Sequence, residues 1–161
     1  MIEILPLQPG QVADAKHVIA AVAQRIFGPE KSTEDFADLL DEDHELDDVD
    51  DYQQVYTSDR GLFLVILDDG RVIGTGAVRR LDDRVAELKR IWLLETHHGR
   101  GIGFRLVSML LQFAREHGYE SIRLHTSRQQ ARAIAFYHKV GFHDIPGDPE
   151  DPDDVSMELE L

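Results

Sequence analysis

Residues 62–94 constrain the fold more than any other stretch of the chain. Leu62 to Leu67 is an unbroken apolar run of strand length. Asp68-Asp69-Gly70 is a turn signal, and Val72 to Val78 is the return strand, with Gly74 and Gly76 inside it. Leu81-Asp82-Asp83-Arg84 turns the chain again into Val85 to Leu94, a third strand of mixed polarity. Turns this short join antiparallel neighbours, because parallel strands need a crossover of about a dozen residues or more. The chain is therefore committed to a β-meander, and the rest must pack on it.

The flanking segments follow other periods. Ile2 and Ile4 open the sheet, and Pro6 and Pro9-Gly10 close that strand. Val12, Ala15, Ile19, Val22 and Ile26 mark one face of a helix that Gly28-Pro29 ends. After the meander, Ile102, Leu106, Met109, Leu110 and Phe113 share a helical face, and Gly118 caps it. Ser121 to Thr126 reads as a strand and Arg128 to Val140 as a helix. Gly141-Phe142 restarts an extended segment, and Val155, Met157, Leu159 and Leu161 alternate as a half-buried strand. Antiparallel strands followed by strand–helix–strand–helix predict a mixed α/β sheet with helices on both faces. A length of 161 residues, with no internal repeat and no linker, predicts a single domain over residues 1–161.

Composition narrows the function. Seventeen Lys and Arg against 31 Asp and Glu give a net charge of −14, which argues against nucleic acid as a partner. The absence of cysteine excludes disulfides, thiolate metal sites and a cysteine nucleophile, and no metal site is expected. No apolar run approaches the roughly 18 residues of a membrane span. Met1 to Pro6 lacks a basic region ahead of an apolar stretch, so no signal peptide and a cytoplasmic location are expected.

The acids are concentrated. Eight of the eleven residues from Asp41 to Asp51 are acidic. Such a block reads as a solvated loop or short helix. A calcium loop fails, because its sixth position needs Gly and the residue there, counted from Asp41, is Leu46. A third reading places the acids around the entrance for a cationic amine. Leu46, Val49, Tyr52, Gln53 and Tyr56 suggest a short helix with its apolar side inward.

His97-His98-Gly99-Arg100-Gly101-Ile102-Gly103 stands where a strand ends and a helix begins. Alternating glycines let backbone N–H groups approach a ligand, and the helix dipole favours an anion there. The ATP-type pattern G-x-x-x-x-G-K-[ST] is absent, since Arg105 and Leu106 fall at its last two positions. The dinucleotide pattern G-x-G-x-x-G fails as well, ending on Phe104 or Leu106.

The stretch Ala86 to Leu94 followed by Gly99-Arg100-Gly101-Ile102-Gly103 resembles the central motif of the Gcn5-related N-acetyltransferases (GNAT), [Q/R]-x-x-G-x-[G/A]. Ala133 to Phe142 is similar to the family's A-x-x-F-Y-x-K-x-G-F. One departure is His98, at the position usually Gln or Arg. The resemblance implies a GNAT-like acyl-CoA N-acyltransferase fold, with a mostly antiparallel sheet of about six or seven strands. It implies an acyltransferase (EC 2.3.1.-) that moves acetyl from acetyl-CoA to a primary amine of a small molecule or peptide by direct attack on the thioester. In this family the fourth strand splays from the fifth and the pantetheine arm lies between them. Here the arm would pair with Ile91, Leu93 and Leu94. The pyrophosphate would lie over His98, Gly99, Arg100, Gly101, Ile102 and Gly103. Gln130 would reach the pantetheine, and Arg132 and Lys139 are candidates for the 3′-phosphate.

A lysine-like amine is neutral in only about one molecule in 2,500 at pH 7, so a base matters. Glu87 is the candidate, placed by strict alternation on the face of Lys89, Ile91 and Leu93. Its bland alternative is an ion pair with Lys89 or Arg79. Tyr137 matches the family's general acid near the sulfur. His125 is a further candidate for the base or a substrate contact, against a structural role. Tandem His97 and His98 point apart and do not chelate a metal together. The amine pocket would be built by about residues 28–60. A homodimer is compatible with the family, though no segment announces an interface. The competing reading is a non-catalytic acyl-CoA-binding or regulatory module on the same fold.

Overall fold

The computed structural model describes all 161 residues. Seven strands form one sheet: β1 (Ile2–Pro6), β2 (Leu62–Asp68), β3 (Arg71–Arg80), β4 (Val85–Leu93), β5 (Ser121–Ser127), β6 (His143–Ile145) and β7 (Asp154–Glu160). Their order is β1-β2-β3-β4-β5-β7-β6, and only the β4–β5 pair is parallel. The helices are α1 (Val12–Phe27), α2 (Thr33–Glu42), α3 (Asp47–Asp50), α4 (Ile102–Glu116) and α5 (Ala131–Val140). No helix is long and apolar enough to cross a membrane.

The sheet separates two cores. On one face, Leu64, Ile66, Ile73, Leu88, Ile122 and Leu124 pack with Leu106 and Leu110 of α4 and Tyr137 of α5. On the other, Phe63, Val65 and Ala77 pack with Val18 and Ile19 of α1 and with Val49, Tyr52 and Tyr56. The unbroken apolar run of β2 is explained by this, since both of its faces are covered. Gly76 lets α4 lie close on β3: a Cβ there would stand 2.7 Å from Leu106 Cδ2.

The acidic segment is more ordered than expected. Helix α2 was not anticipated, although its signals are local. Ser32 Oγ accepts the Asp35 N–H at 3.1 Å, and Glu34 and Asp35 sit at the positive end of the helix dipole. Its apolar residues are few, and Leu40 is the one packed against the second core. Leu46, Val49, Tyr52 and Tyr56 turn inward as expected, whereas Gln53 is exposed. They do so through α3 and a separate π-helical turn at Gln53–Thr57.

Candidate functional site

The parallel ladder between β4 and β5 covers only Val85–Glu87 on β4. Beyond Glu87 the strands part and enclose a cavity of about 230 Å³, walled by β4 from Glu87 to Trp92, by Leu124 to Thr126 of β5, and by Gln130 and Tyr137. The splayed fourth strand is thus observed. Its cause is a β-bulge. Ala77 opposes Lys89 and Thr75 opposes Trp92, so Arg90 and Ile91 face the single residue Gly76. Arg90 takes the left-handed conformation, φ 59°. Thr75 Oγ–H donates to the Arg90 carbonyl at 2.7 Å. The Arg90 guanidinium donates to Asp48 at 2.6 and 3.0 Å and to the Glu45 carbonyl at 2.7 Å. Asp48 also accepts from the Tyr56 hydroxyl. Burial opposes the Asp48 charge, but Arg90 outweighs it and holds the carboxyl below the usual range.

This bulge corrects the expected alternation. Ile91 and Leu93 pack on the α4 side, with Leu88, whereas Trp92 packs on the α1 side. Glu87 and Lys89 oppose Arg79 and Ala77, on the α1 side. Glu87 therefore shares a face with Lys89 but not with Ile91 and Leu93. The cleft has two unlike faces as a result. Tyr137 stands on the α4 side, and Glu87 and Lys89 stand on the α1 side.

Glu87 is buried at 7% exposure, and Arg79 Nε donates to its Oε1 at 2.7 Å. The ion pair weighed as its alternative is therefore present. Its Oε2 lies 4.0 Å from His125 Nε2. On the far side of that ring, Nδ1–H donates to Asp154 Oδ1 at 3.1 Å, with Ser156 Oγ at 2.9 Å. Ser156 Oγ–H donates to Asp154 Oδ2 at 2.6 Å. The ring therefore stands between two carboxylates, with Nδ1 toward Asp154 and Nε2 toward Glu87. Asp154 and Ser156 were invisible as site residues in the sequence. Their alternation on β7 was readable, but not that His125 pairs across from Ser156. Lys89 lines the cavity without a hydrogen bond or ion pair. Burial, and then repulsion from Arg90, holds its ammonium below the usual lysine range.

Tyr137 makes no side-chain hydrogen bond within the chain and lines the cavity. Burial pushes its phenol above the usual range, so it stays protonated. Its ring is held edge-on to Phe142 at 5.8 Å. Gln130 is the N-cap residue of α5, with its side chain free of any capping bond and lining the cavity.

The glycine turn has the cradle geometry. Gly99 and Gly101 both have φ 76°, and no atom lies within 4 Å of a Cβ placed on either. The N–H groups of Gly99, Arg100 and Gly101 have no partner in the chain. Those of Ile102 and Gly103 open α4, where first-turn N–H groups lack intrahelical acceptors. Arg100, Arg132 and Lys139 are exposed and unpaired. Two expected contributors stand differently. His98 Nε2–H donates back to the Leu93 carbonyl at 3.0 Å, so its ring ties the turn to β4 rather than facing the cradle. Leu94 donates its N–H to Ile73 O and accepts from His97 N–H, which occupies its backbone. Ladder alternation turns the backbone groups of Ile91 and Leu93 away from β3, toward the gap. His97 pairs with Asp68 at 2.9 Å, apart from His98. The acids of residues 41–51 do not line the cavity. Asp48 approaches it only through Arg90.

A family model described as the acetyltransferase (GNAT) family matches residues 26–142. N-acetyltransferase 8B of Homo sapiens is 36% identical over 101 residues, covering 59% of this chain and 44% of that protein. The N-acetyltransferase YjgM of Escherichia coli is 30% identical over 100 residues, covering 60% of each. The chain thus spans about half the length of these relatives. Among solved structures, an acetyltransferase from Streptococcus agalactiae superposes with a TM-score of 0.82 at 24% identity, covering 99% of this chain and 98% of that one. The PaiA N-acetyltransferase of Thermoplasma acidophilum, solved in complex with coenzyme A, gives 0.82 at 22% identity, covering 100% and 99%.

Proposed function

This chain belongs to the GNAT family of acetyltransferases, and from that premise we propose that it acetylates a primary amine of a small molecule or peptide, with acetyl-CoA as donor, in the cytoplasm. The observation that carries the reading is the end of the β4–β5 ladder at Glu87. Beyond it lies a cavity lined by β4 as far as Trp92, by β5, and by Gln130 and Tyr137.

The residues present fit acetyl-CoA. Free amides of Gly99, Arg100 and Gly101 and the first turn of α4 suit a pyrophosphate. The open-edge backbone of Ile91 and the N–H of Leu93, whose carbonyl is taken by His98, suit an amide-bearing arm, with Gln130 beside it. When bound, acetyl-CoA supplies an acyl thioester, whose carbonyl carbon the amine attacks. Glu87, directly or through water, takes the proton of the arriving ammonium. His125 Nε2 stands next to it as the onward acceptor. As the C–N bond forms and the C–S bond breaks, Tyr137 donates its phenolic proton to the sulfur, and the second proton shed by the nitrogen returns through water to the tyrosinate. Burial suits Tyr137 for this, because it keeps the proton until an anion develops beside it. The Arg79 hydrogen bond holds Glu87 in orientation.

The test is a titration with acetyl-CoA and with desulfo-CoA on wild type and Gly101→Glu, followed by turnover with a panel of amines. Binding lost in the variant, with acetylated amine formed by wild type, is the expected result. Binding without turnover would leave a non-catalytic acyl-CoA module. No binding would overturn the reading.

A further inference from the structure

The geometry points to an acceptor that carries a carboxylate, received by the Lys89 ammonium on the α1 side of the cleft. The inference rests on the amine-acetylation reading above and names its substrate class. Lys89 lines the cavity two residues beyond Glu87 on the same strand face. It is the cation of that wall without a partner. Arg79 is held by Glu87 at 2.7 Å, and Arg90 is held by Asp48 at 2.6 Å. The neighbouring carboxylates are equally engaged. Glu87 is taken by Arg79, Asp48 by Arg90 and Tyr56, and Asp154 by His125 and Ser156.

A partly desolvated ammonium with no carboxylate in contact is a cost to the fold, and an anionic ligand relieves it. The lowered proton affinity of Lys89, caused first by burial and then by Arg90, is the mark of that cost. The charge distribution supports the same conclusion independently. No acid of residues 41–51 lines the cavity, and Asp48, the one tied to its wall, is held by Arg90, so the groups nearest the acceptor site are Glu87 and Lys89. Glu87 and Lys89 are about 7 Å apart along the strand. A small amino-carboxylate, such as an α-amino acid, spans them with its amine at Glu87 and its carboxylate at Lys89. The sequence suggested a cationic acceptor from the acids of residues 41–51, none of which lines the cavity.

The experiment compares several α-amino acids with their decarboxylated amines, at matched concentrations of unprotonated amine, using wild type, Lys89→Gln and Lys89→Arg. Wild type is expected to favour the amino acids by roughly tenfold or more in kcat/KM. The ratio should collapse toward one in Lys89→Gln and be partly kept in Lys89→Arg. Thermal melting of each variant separates this from misfolding. Equal use of both classes by wild type, or an unchanged ratio in Lys89→Gln, would overturn the inference while leaving the acetyltransferase reading intact. So would acetylation of Lys89 itself, read by intact mass, because it would make the lysine an acceptor. Acetyl-CoA binding with no transfer to any member of the panel would overturn the acetyltransferase reading, and this inference with it.

Discussion

Replacing Asp48 by Asn tests how the cleft is held open. The change keeps the side chain's shape and removes the charge that anchors Arg90. Both partners are 17% exposed, so the pair is largely out of water. Breaking a fully buried pair by removing one member costs about 3–5 kcal/mol, and an exposed pair about 0–1. The partial burial here places the loss at about 2 kcal/mol. Tyr56 keeps an oxygen to donate to, which holds the figure down. With an unfolding entropy near 2.1 cal/mol/K per residue, 161 residues translate this into a Tm lower by about 6 °C. The folded pKa of Asp48 is depressed, so its contribution is present above the unfolded value and is lost as pH falls through the folded one. The melting difference between wild type and Asp48→Asn should therefore be full near pH 7 and shrink below about pH 4. The bulge is anchored from one side by this pair, so the KM for acetyl-CoA should rise as well. Scanning calorimetry across pH and steady-state kinetics read both effects. A Tm change below about 1 °C, or a cycle with Arg90→Gln that is additive, would refute the argument.

Other substitutions follow from the same geometry. Gly101→Glu should abolish acetyl-CoA binding in calorimetry, by placing an anion at the cradle and straining a backbone at φ 76°. Gly101→Ala should keep measurable binding with a stability loss of about 1 kcal/mol. Tyr137→Phe should leave the Tm within a few degrees, because the hydroxyl makes no hydrogen bond in the chain, while kcat falls by about 10²–10⁴-fold. Glu87→Gln should lower kcat most at neutral pH and least at alkaline pH, where more acceptor arrives unprotonated; a uniform loss in the pH–rate profile would assign Glu87 to packing alone.

Much of the fold was legible because it rests on local pattern. Period-2 and period-3.6 runs, short turns and Gly28-Pro29 specify elements within a few residues of themselves. Helix α2 escaped notice because its Ser32 cap and apolar residues are embedded in a run of like charges, which hides a weak stripe. The glycine turn was legible for the same local reason: Gly99 and Gly101 are where the chain needs a left-handed backbone next to a helix start.

What the sequence by itself determined is the meander, the helices on two faces and the place where a strand feeds a glycine turn. Only the tertiary structure decided which side chains share the cleft. Alternation would have put Glu87 and Ile91 together, but one extra residue at Arg90 reverses every position after it, and nothing in the strand's composition announces that reversal. Asp48 meets Arg90 from 42 residues away and Asp154 meets His125 from 29. Those pairings depend on how α3 and β7 dock. The same docking consumes the counter-charges around Lys89 and leaves its ammonium alone in the site.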